Sequence, residues 1–534
     1  MDIISLGTLL ILLLVLPLLL YLLRLYGKNS HGGRAPLPPS PRGALPLLGH
    51  LHLLGALPHR TLRSLAVARG APVMRLQLGR VPAVVLSSAA AAEEAMRARD
   101  LDLVGRPRSS MAERLMYSGR DVVFSPYGEY WRQARRVCAV HLLGARQVRS
   151  FRGVRAEEAA ALIARVHATG AGSFDLCGLL VGYANAIISR AAFGDESSRG
   201  LSSYGGRELR ELFADFAELL GTKPVRDLLP WFGWVDALRG LDRKVRRTFE
   251  VLDGVLDSVI DDHRRRRRRE GGWQRGLPMG DVDDGDDRGD HRDFVDVLLD
   301  VNEMDNEGGF QLDTVQIKGI ILDMFVAGTD ATSALLEWAM AELVSHPCHM
   351  HRLQHELRAV VGMAGHVTEV EDHIRMDRLP YLKAVLKETL RLHSSLPLLV
   401  PRESLVDTEI LGYHVAARTR LVINAWAIGR DPTVWGENAE EFMPERFLGR
   451  EDVDYKGQGF EMIPFGRGRR GCPGIGFAMA TVEMALASLL YHFDWEVAVP
   501  NGKGNQVLLD MSEMSGITVG LKHGLPLIAK PFFS

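Results

Sequence analysis

Apolar residues dominate one run from Asp313 to Val344 of about thirty positions, on the order of 45 Å at 1.5 Å per residue. Asp313 and Gln316 have capping-box spacing, and His346-Pro347 closes the run, which predicts one long helix. Apolar on most faces, that helix must pass through the middle of the protein. Elsewhere the pattern is mixed. Pro72 to Ser88 alternates as a hairpin turning at Gly79-Arg80, and Ala89 to Arg97 reads as a short helix. Arg106 to Phe124 shows no sustained period and reads as a loop, whereas Trp131 to Arg135 is helical, with its two ends four apart on one face. Glu157 to Asp262 is mainly amphipathic helix, interrupted by Asp227 to Asp236 with Pro230, Trp231 and Trp234. The basic block Arg264 to Arg269 and the acidic block Asp281 to Asp290 predict a solvated, mobile loop. Regular structure restarts at Asp293 to Leu299, Tyr381 to His393 is helical, and an apolar helix spans Ile475 to Tyr491.

The N-terminal pattern differs in kind. Ile3 to Leu23 is almost entirely Leu, Ile and Val without charge, enough to cross a bilayer as a helix. Asp2 precedes it and Arg24, Lys28 and Arg34 follow, so the positive-inside bias places the C-terminal bulk in the cytosol. A cleaved signal peptide is the competing reading; the run is long for one and lacks a small-residue cleavage pattern. Gly32 to Pro46, with Pro36, Pro38, Pro39 and Pro41, is expected to form a stiff extended spacer.

Composition changes this picture little. The formal net charge of -2 over 534 residues gives no reason to expect nucleic acid as a partner. Four scattered cysteines, Cys138, Cys177, Cys348 and Cys472, make no disulfide framework and favour a reducing compartment.

Candidate chemistry centres on Phe465-Gly466-Arg467-Gly468-Arg469-Arg470-Gly471-Cys472-Pro473-Gly474. Glycines permit a tight turn and close approach to a flat ligand, and nearby N–H groups can hold the charge of a thiolate. Pro473 keeps the sulfur on a loop ahead of the helix, and the arginines offer forked donors for carboxylates. In the long helix, Ala327-Gly328-Thr329-Asp330-Ala331-Thr332-Ser333 places a glycine, costing about 1 kcal/mol, beside an acid. Close passage over a cofactor and proton relay would account for both; a salt-bridged Asp330 is the alternative. Glu388 and Arg391 face one another at i, i+3, and Arg446 follows in Phe442 to Phe447.

At Phe465, Gly468, Arg470, Cys472 and Gly474 the chain resembles the cytochrome P-450 family of haem-thiolate enzymes, at the family's spacing and without departure. The resemblance implies a mainly α fold with small β-sheets and an N-terminal transmembrane helix: anchor 1–28, proline-rich hinge 29–46 and catalytic domain 47–534. It implies haem b with Cys472 as axial thiolate ligand to the iron, Arg470 on a propionate, and Trp131, Arg135 and Arg402 near the propionates. Thiolate ligation favours O–O cleavage. Glu388, Arg391 and Arg446 match the family's buried network, assigned to folding and cofactor retention. The 106–124 loop, Leu396 to Arg402 and Met511 to Thr518 match pocket segments, and Asp293 to Leu299 resembles a phrase common in plant members.

One position departs. The family has an acid followed by a threonine that takes part in proton delivery, and here Asp330 is followed by Ala331, with Thr332 one step later. Successive helical residues point about 100° apart, so Thr332 cannot simply take over, although Asp330 and Thr332 are the catalytic candidates. A substrate hydroxyl, an ordered water or Asp330 is the candidate substitute.

The implied function is insertion of one oxygen atom from O2 into a small apolar or aromatic plant specialised metabolite, at the endoplasmic-reticulum membrane. Electrons would come from NADPH through a separate reductase, with cytochrome b5 and membrane lipid as further partners. Arg467 and Arg469 are candidates to receive an acidic reductase surface. Two alternatives stand: a haem-thiolate isomerase or dehydratase independent of O2 and NADPH, suggested by Ala331, and a catalytically silent scaffold.

Overall fold

The computed structural model describes residues 35–200, 203–204, 207–269, 292–304, 310–362, 378–450, 453–498 and 509–532. The anchor 1–28, the first part of the hinge and the acidic stretch 281–290 lie outside the described residues. In chain order the elements that matter for the site begin with α1 (Pro58–Arg69), β1 (Val73–Leu78), β2 (Val81–Leu86), α2 (Ala89–Glu93), α3 (Ser110–Leu115) and α4 (Glu129–Val137). They continue with α5 (Arg152–Ala168), β3 (Phe174–Asp175), α6 (Leu176–Gly200, broken at Gly194), α7 (Leu209–Gly221), α8 (Leu241–Arg269) and α9 (Phe294–Met304). The rest are α10 (Thr314–Ser345), α11 (Pro347–Val361), α12 (Pro380–Leu392), β4 (Arg402–Glu403), β5 (Thr408–Ile410), β6 (Tyr413–Val415), β7 (Arg420–Ile423), α13 (Ile475–His492), β8 (Phe493–Val497) and β9 (Pro526–Pro531).

The fold is helical with small sheets, the largest four-stranded in the order β1-β2-β7-β4 and another three-stranded in the order β8-β9-β3. β1 and β2 form the expected antiparallel hairpin, turning at Gly79 with φ 59°.

α10 is the centre. Its capping box is complete: Gln316 N donates to the Asp313 carboxylate at 2.7 Å and Asp313 N to Gln316 Oε1 at 2.8 Å. α10 packs most extensively on α6, and also on α12 and α13. Phe325 stacks against Phe193 and Phe213 with centroids 5.7 and 3.5 Å apart. The helices Leu176–Asp195, Thr314–Ser345 and Ile475–His492 are long and apolar enough to cross a membrane, but most of their residues are buried in this core. Gly328 also belongs to this packing. A Cβ there would stand 3.0 Å from Ile188 Cδ1 on α6, so close helix–helix approach accounts for the glycine.

Three sequence expectations change. The 106–124 segment contains α3, capped by Ser109, whose Oγ accepts from Ala112 N at 3.4 Å. Six residues are too few to display a period, and burial of Met111, Ala112 and Leu115 supplies what propensity did not. Arg264 to Arg269 is not loop but the last turns of α8. Arg264 donates to Thr314 Oγ1 at 2.8 Å, Arg267 to Asp300 at 2.8 Å, and buried His263 meets Asp293 at 2.9 Å. Arginine is a good helix former, and cations suit a helix C-terminus. The described part of the hinge is also no free spacer: Pro36 O accepts from His414 N at 2.9 Å and Pro39 O from Arg75 N at 2.8 Å.

Candidate active site

Cys472 lies on the loop leading into α13, as Pro473 requires. Gly466 and Gly468, with φ 64° and 68°, turn the loop through left-handed backbone. A side chain at Gly468 would collide with Met96 O and the Asp100 carboxylate, each 2.5 Å from its Cβ, so only glycine fits that turn. Cys472 N donates to Phe465 O at 2.9 Å, and Gly474 N donates to Sγ at 3.3 Å. Phe465 packs edge-on to Tyr455 at 5.5 Å. The thiol is open to a water-sized space yet enclosed by protein, and that burial pushes its pKa up. Such a sulfur stays protonated until a metal takes the proton's place.

Four arginines converge beside this loop. Arg470 donates to the carbonyls of Val104 at 3.1 Å, Val122 at 3.2 Å and Ser125 at 2.7 Å. Arg106 donates to Val123 O at 2.7 Å and to Val400 O and Pro401 O at 2.9 Å. Arg135 donates to Gly471 O. Arg402, on β4, pairs with Asp100 at 2.7 Å and also donates to Arg467 O at 2.6 Å. Burial lowers the pKa of all four, Arg470 to about 10, and mutual repulsion deepens the shift for Arg106 and Arg470. Asp100 is the one carboxylate in contact with any of them among the described residues, and it is shared with Arg469 at 3.1 Å. Asp323 of α10 ties the neighbouring loop down by accepting from Val122 N at 2.6 Å and Val123 N at 3.1 Å. Three buried cations answered mainly by carbonyls leave a charge deficit that a doubly anionic, flat ligand would fill.

The remaining expected residues fall into place differently. Trp131 is buried; its indole N–H is committed to Val122 O at 2.9 Å, and its ring lies 4.3 Å from the Arg470 guanidinium. It therefore meets the site through Arg470. Arg467 is held by the carbonyls of Asp454, Tyr455 and Gly459, and Arg469, whose side chain is 48 % exposed, pairs with Asp100. Glu388, Arg391 and Arg446 come together: Arg391 Nε and Nη2 meet Glu388 at 2.6 and 2.8 Å, and Arg446 Nε at 2.9 Å.

On α10, Ala327 is exposed and Ala331 half-buried although the flanking turns are buried, so this face borders an interior space. The Asp330 carboxyl has no hydrogen-bond or ion-pair partner among the described residues, and burial pushes it up to about 6. The salt-bridge alternative does not hold. Thr332 is 3 % exposed and does not share the open face. Met511 to Ser515 line an outer cleft with Ala56, Leu57 and Arg60.

Arg106 and Asp100 were not expected from the sequence. Arg106 opens a segment read only as loop, and nothing local marks it as a partner of Arg470.

A lone enclosed thiol on a glycine turn, ringed by buried arginines and faced by an acid-bearing helix, defines a cradle for a flat, dianionic metal cofactor of the haem-thiolate class. The comparisons agree. The family model described as Cytochrome P450 matches residues 38–512. Cytochrome P450 71A1 of Persea americana is 46% identical, covering 91% of this chain and 92% of that relative. Cytochrome P450 736A117 of Prunus mume is 44% identical over 93% and 90%, and norfluorocurarine oxidase of a Strychnos species 41% identical over 95% of each. A solved zebra fish cytochrome P450 with abiraterone superposes with a TM-score of 0.70 at 23% identity, covering 90% of this chain and all of that one, and shows the fold. This chain belongs to the cytochrome P450 family. It is a monooxygenase using haem with an axial cysteine thiolate and electrons from a reductase.

Proposed function

We propose that the chain oxygenates a small apolar or aromatic plant specialised metabolite, with NADPH electrons from a separate reductase at the endoplasmic-reticulum membrane. Bound haem supplies activation of O2 and insertion of one oxygen atom. Cys472 is assigned as its axial ligand. Arg470, Arg135, Arg402 and Arg106 neutralise its propionates, Trp131 backs Arg470, and Phe465, Gly468 and Gly474 shape the cradle. The small side chains of Ala327 and Ala331 leave room for substrate on the open face of α10. Asp330, raised to about 6, is poised to exchange protons near neutrality. Thr332 has no place in this reading because it is buried away from that face. Glu388, Arg391 and Arg446 hold the fold under the cradle.

The observation that carries the reading is the enclosed Cys472 thiol among buried, undercompensated arginines. The metabolite class is supported by the plant relatives, among them one named norfluorocurarine oxidase. The membrane site, with lipid as partner, is supported by the apolar run from Ile3 to Leu23. Ala331 alone favours an isomerase or dehydratase, and none of the relatives named here does. The test is turnover in microsomes with a plant reductase, a metabolite panel and isotopically heavy O2. Heavy oxygen in an NADPH-dependent product is expected; product formed without O2 or NADPH would overturn the reading.

A further inference from the structure

Beyond the end of α12 the chain runs through His393, Ser394 and Ser395 and returns against α10. There the Ser395 hydroxyl donates to the carbonyl of Ala331 at 3.1 Å. α10 continues unbroken through this turn, and a peptide carbonyl has two lone pairs, so the bond is added to the helical ladder.

Ser395 is held firmly. Its own carbonyl accepts from Val519 N at 2.9 Å, and Val519 O accepts from the Trp338 indole at 2.9 Å. Trp338 stacks on His393 with centroids 4.1 Å apart, and His393 Nε2 lies 2.6 Å from Glu342. The loop is thereby tied to α10 about two and three turns beyond Ala331. The consequence is a hydroxyl whose hydrogen is fixed. No donor to Ser395 Oγ is found among the described residues, so its oxygen lone pairs are left to accept. Ala331 is half-buried on the open face, its methyl offers no polar group, and the preceding residue is Asp330, whose carboxyl has no partner among the described residues.

We propose that Ser395 is the positioning hydroxyl for proton transfer at this turn: with its hydrogen held by Ala331 O, it accepts a hydrogen bond from a cavity water and orients that water beside Asp330. The Asp330 carboxyl gives its proton to the water as the water releases one of its own into the cavity, and the carboxylate is reprotonated from solvent. The hydroxyl that α10 lacks at position 331 thus comes from the segment after α12, a different element. This inference rests on the monooxygenase reading.

The experiment compares Ser395→Ala, Ser395→Thr and the double variant Ser395→Ala/Ala331→Thr, as full-length haem-loaded protein with reductase. Retention of the thiolate-type spectrum of the reduced, CO-bound haem shows which variants are folded. Ser395→Ala should raise the share of NADPH electrons lost as hydrogen peroxide several-fold and flatten the pH dependence of that share between pH 5 and 8. Ser395→Thr should behave as the parent, and Ala331→Thr should restore Ser395→Ala. Independently of turnover, the infrared C–O stretch of the CO complex should lose its shift between H2O and D2O in Ser395→Ala and keep it in Ser395→Thr. An unchanged peroxide share with an unchanged isotope shift in Ser395→Ala overturns the role of Ser395. Should no reductase-dependent product form in the parent, the monooxygenase reading falls, and the infrared comparison alone decides whether Ser395 orients a water there.

Discussion

The Glu388 network and the Asp330 turn of α10 are both interior and both carry charge, yet they are built on opposite principles. At the first, Glu388 and Arg391 are 0 % and 1 % exposed, and all five Arg391 N–H donors are used. Arg391 adds bonds to Gly429 O and Ala439 O at 2.6 Å, and Met443 N donates to Glu388 at 2.8 Å. At the second, the Asp330 carboxyl has no partner among the described residues and the Thr329 hydroxyl is buried without one. A saturated network has one arrangement and holds position, whereas an unpaired acid remains free to change its protonation. The protein satisfies charge where Glu388 holds the fold and leaves the Asp330 carboxyl unsatisfied on α10, where the proposed proton transfer needs it free.

Four substitutions test this contrast. The largest effect belongs to neither region but to the sulfur they flank: Cys472→Ser should abolish the thiolate-type absorption of the reduced, CO-bound haem. An unchanged spectrum would remove the ligand assignment. Next, Arg391→Ala leaves buried Glu388 with only Arg446 and Met443 N as partners, which should cost about 3–5 kcal/mol. Urea unfolding followed by haem absorption would register it, and a loss below 1 kcal/mol would mean the network is not holding the fold.

Asp330→Asn should act with the opposite sign. The folded-state pKa of Asp330 is raised from 3.8 to about 6, so the folded chain binds the proton more tightly than the unfolded chain. The acid's unfavourable contribution is absent below pH 4, grows as pH rises through that window and is complete above pH 6. The amide should therefore stabilise the protein by roughly 2–3 kcal/mol at pH 7.5 and by nothing at pH 4. A difference between variant and parent that does not grow with pH would show Asp330 to be solvated. The smallest change is Gly328→Ala. Relief of about 1 kcal/mol of helix propensity is set against a Cβ 3.0 Å from Ile188, and the net change in unfolding free energy should stay within about 1 kcal/mol. A loss well above that would mean that α6 cannot move at all.

Legibility followed sequence distance. The capping box at Asp313 and Gln316, the Glu388–Arg391 pair and the turn at Gly466 to Gly474 are short-range arrangements, and each was readable because the partners lie within a few residues. α3 was missed because six residues carry no period. The arginine block was misread because its partners, Asp296, Asp300 and Thr314, belong to other helices.

By itself, then, the sequence determined the thiol-bearing loop, the long central helix with its cap and the hairpin, since spacing along a chain of known geometry dictates each, and the resemblance of the loop to a known family implied the haem-thiolate class. Tertiary structure alone decided that Gly328 serves α6, that Arg106 joins the cationic ring, that Thr332 turns away from the open face and that Ser395 reaches Ala331. Each of these depends on which surfaces meet after the chain has crossed the core. The Ser395–Ala331 bond joins residues 64 apart, and no local pattern encodes such a meeting.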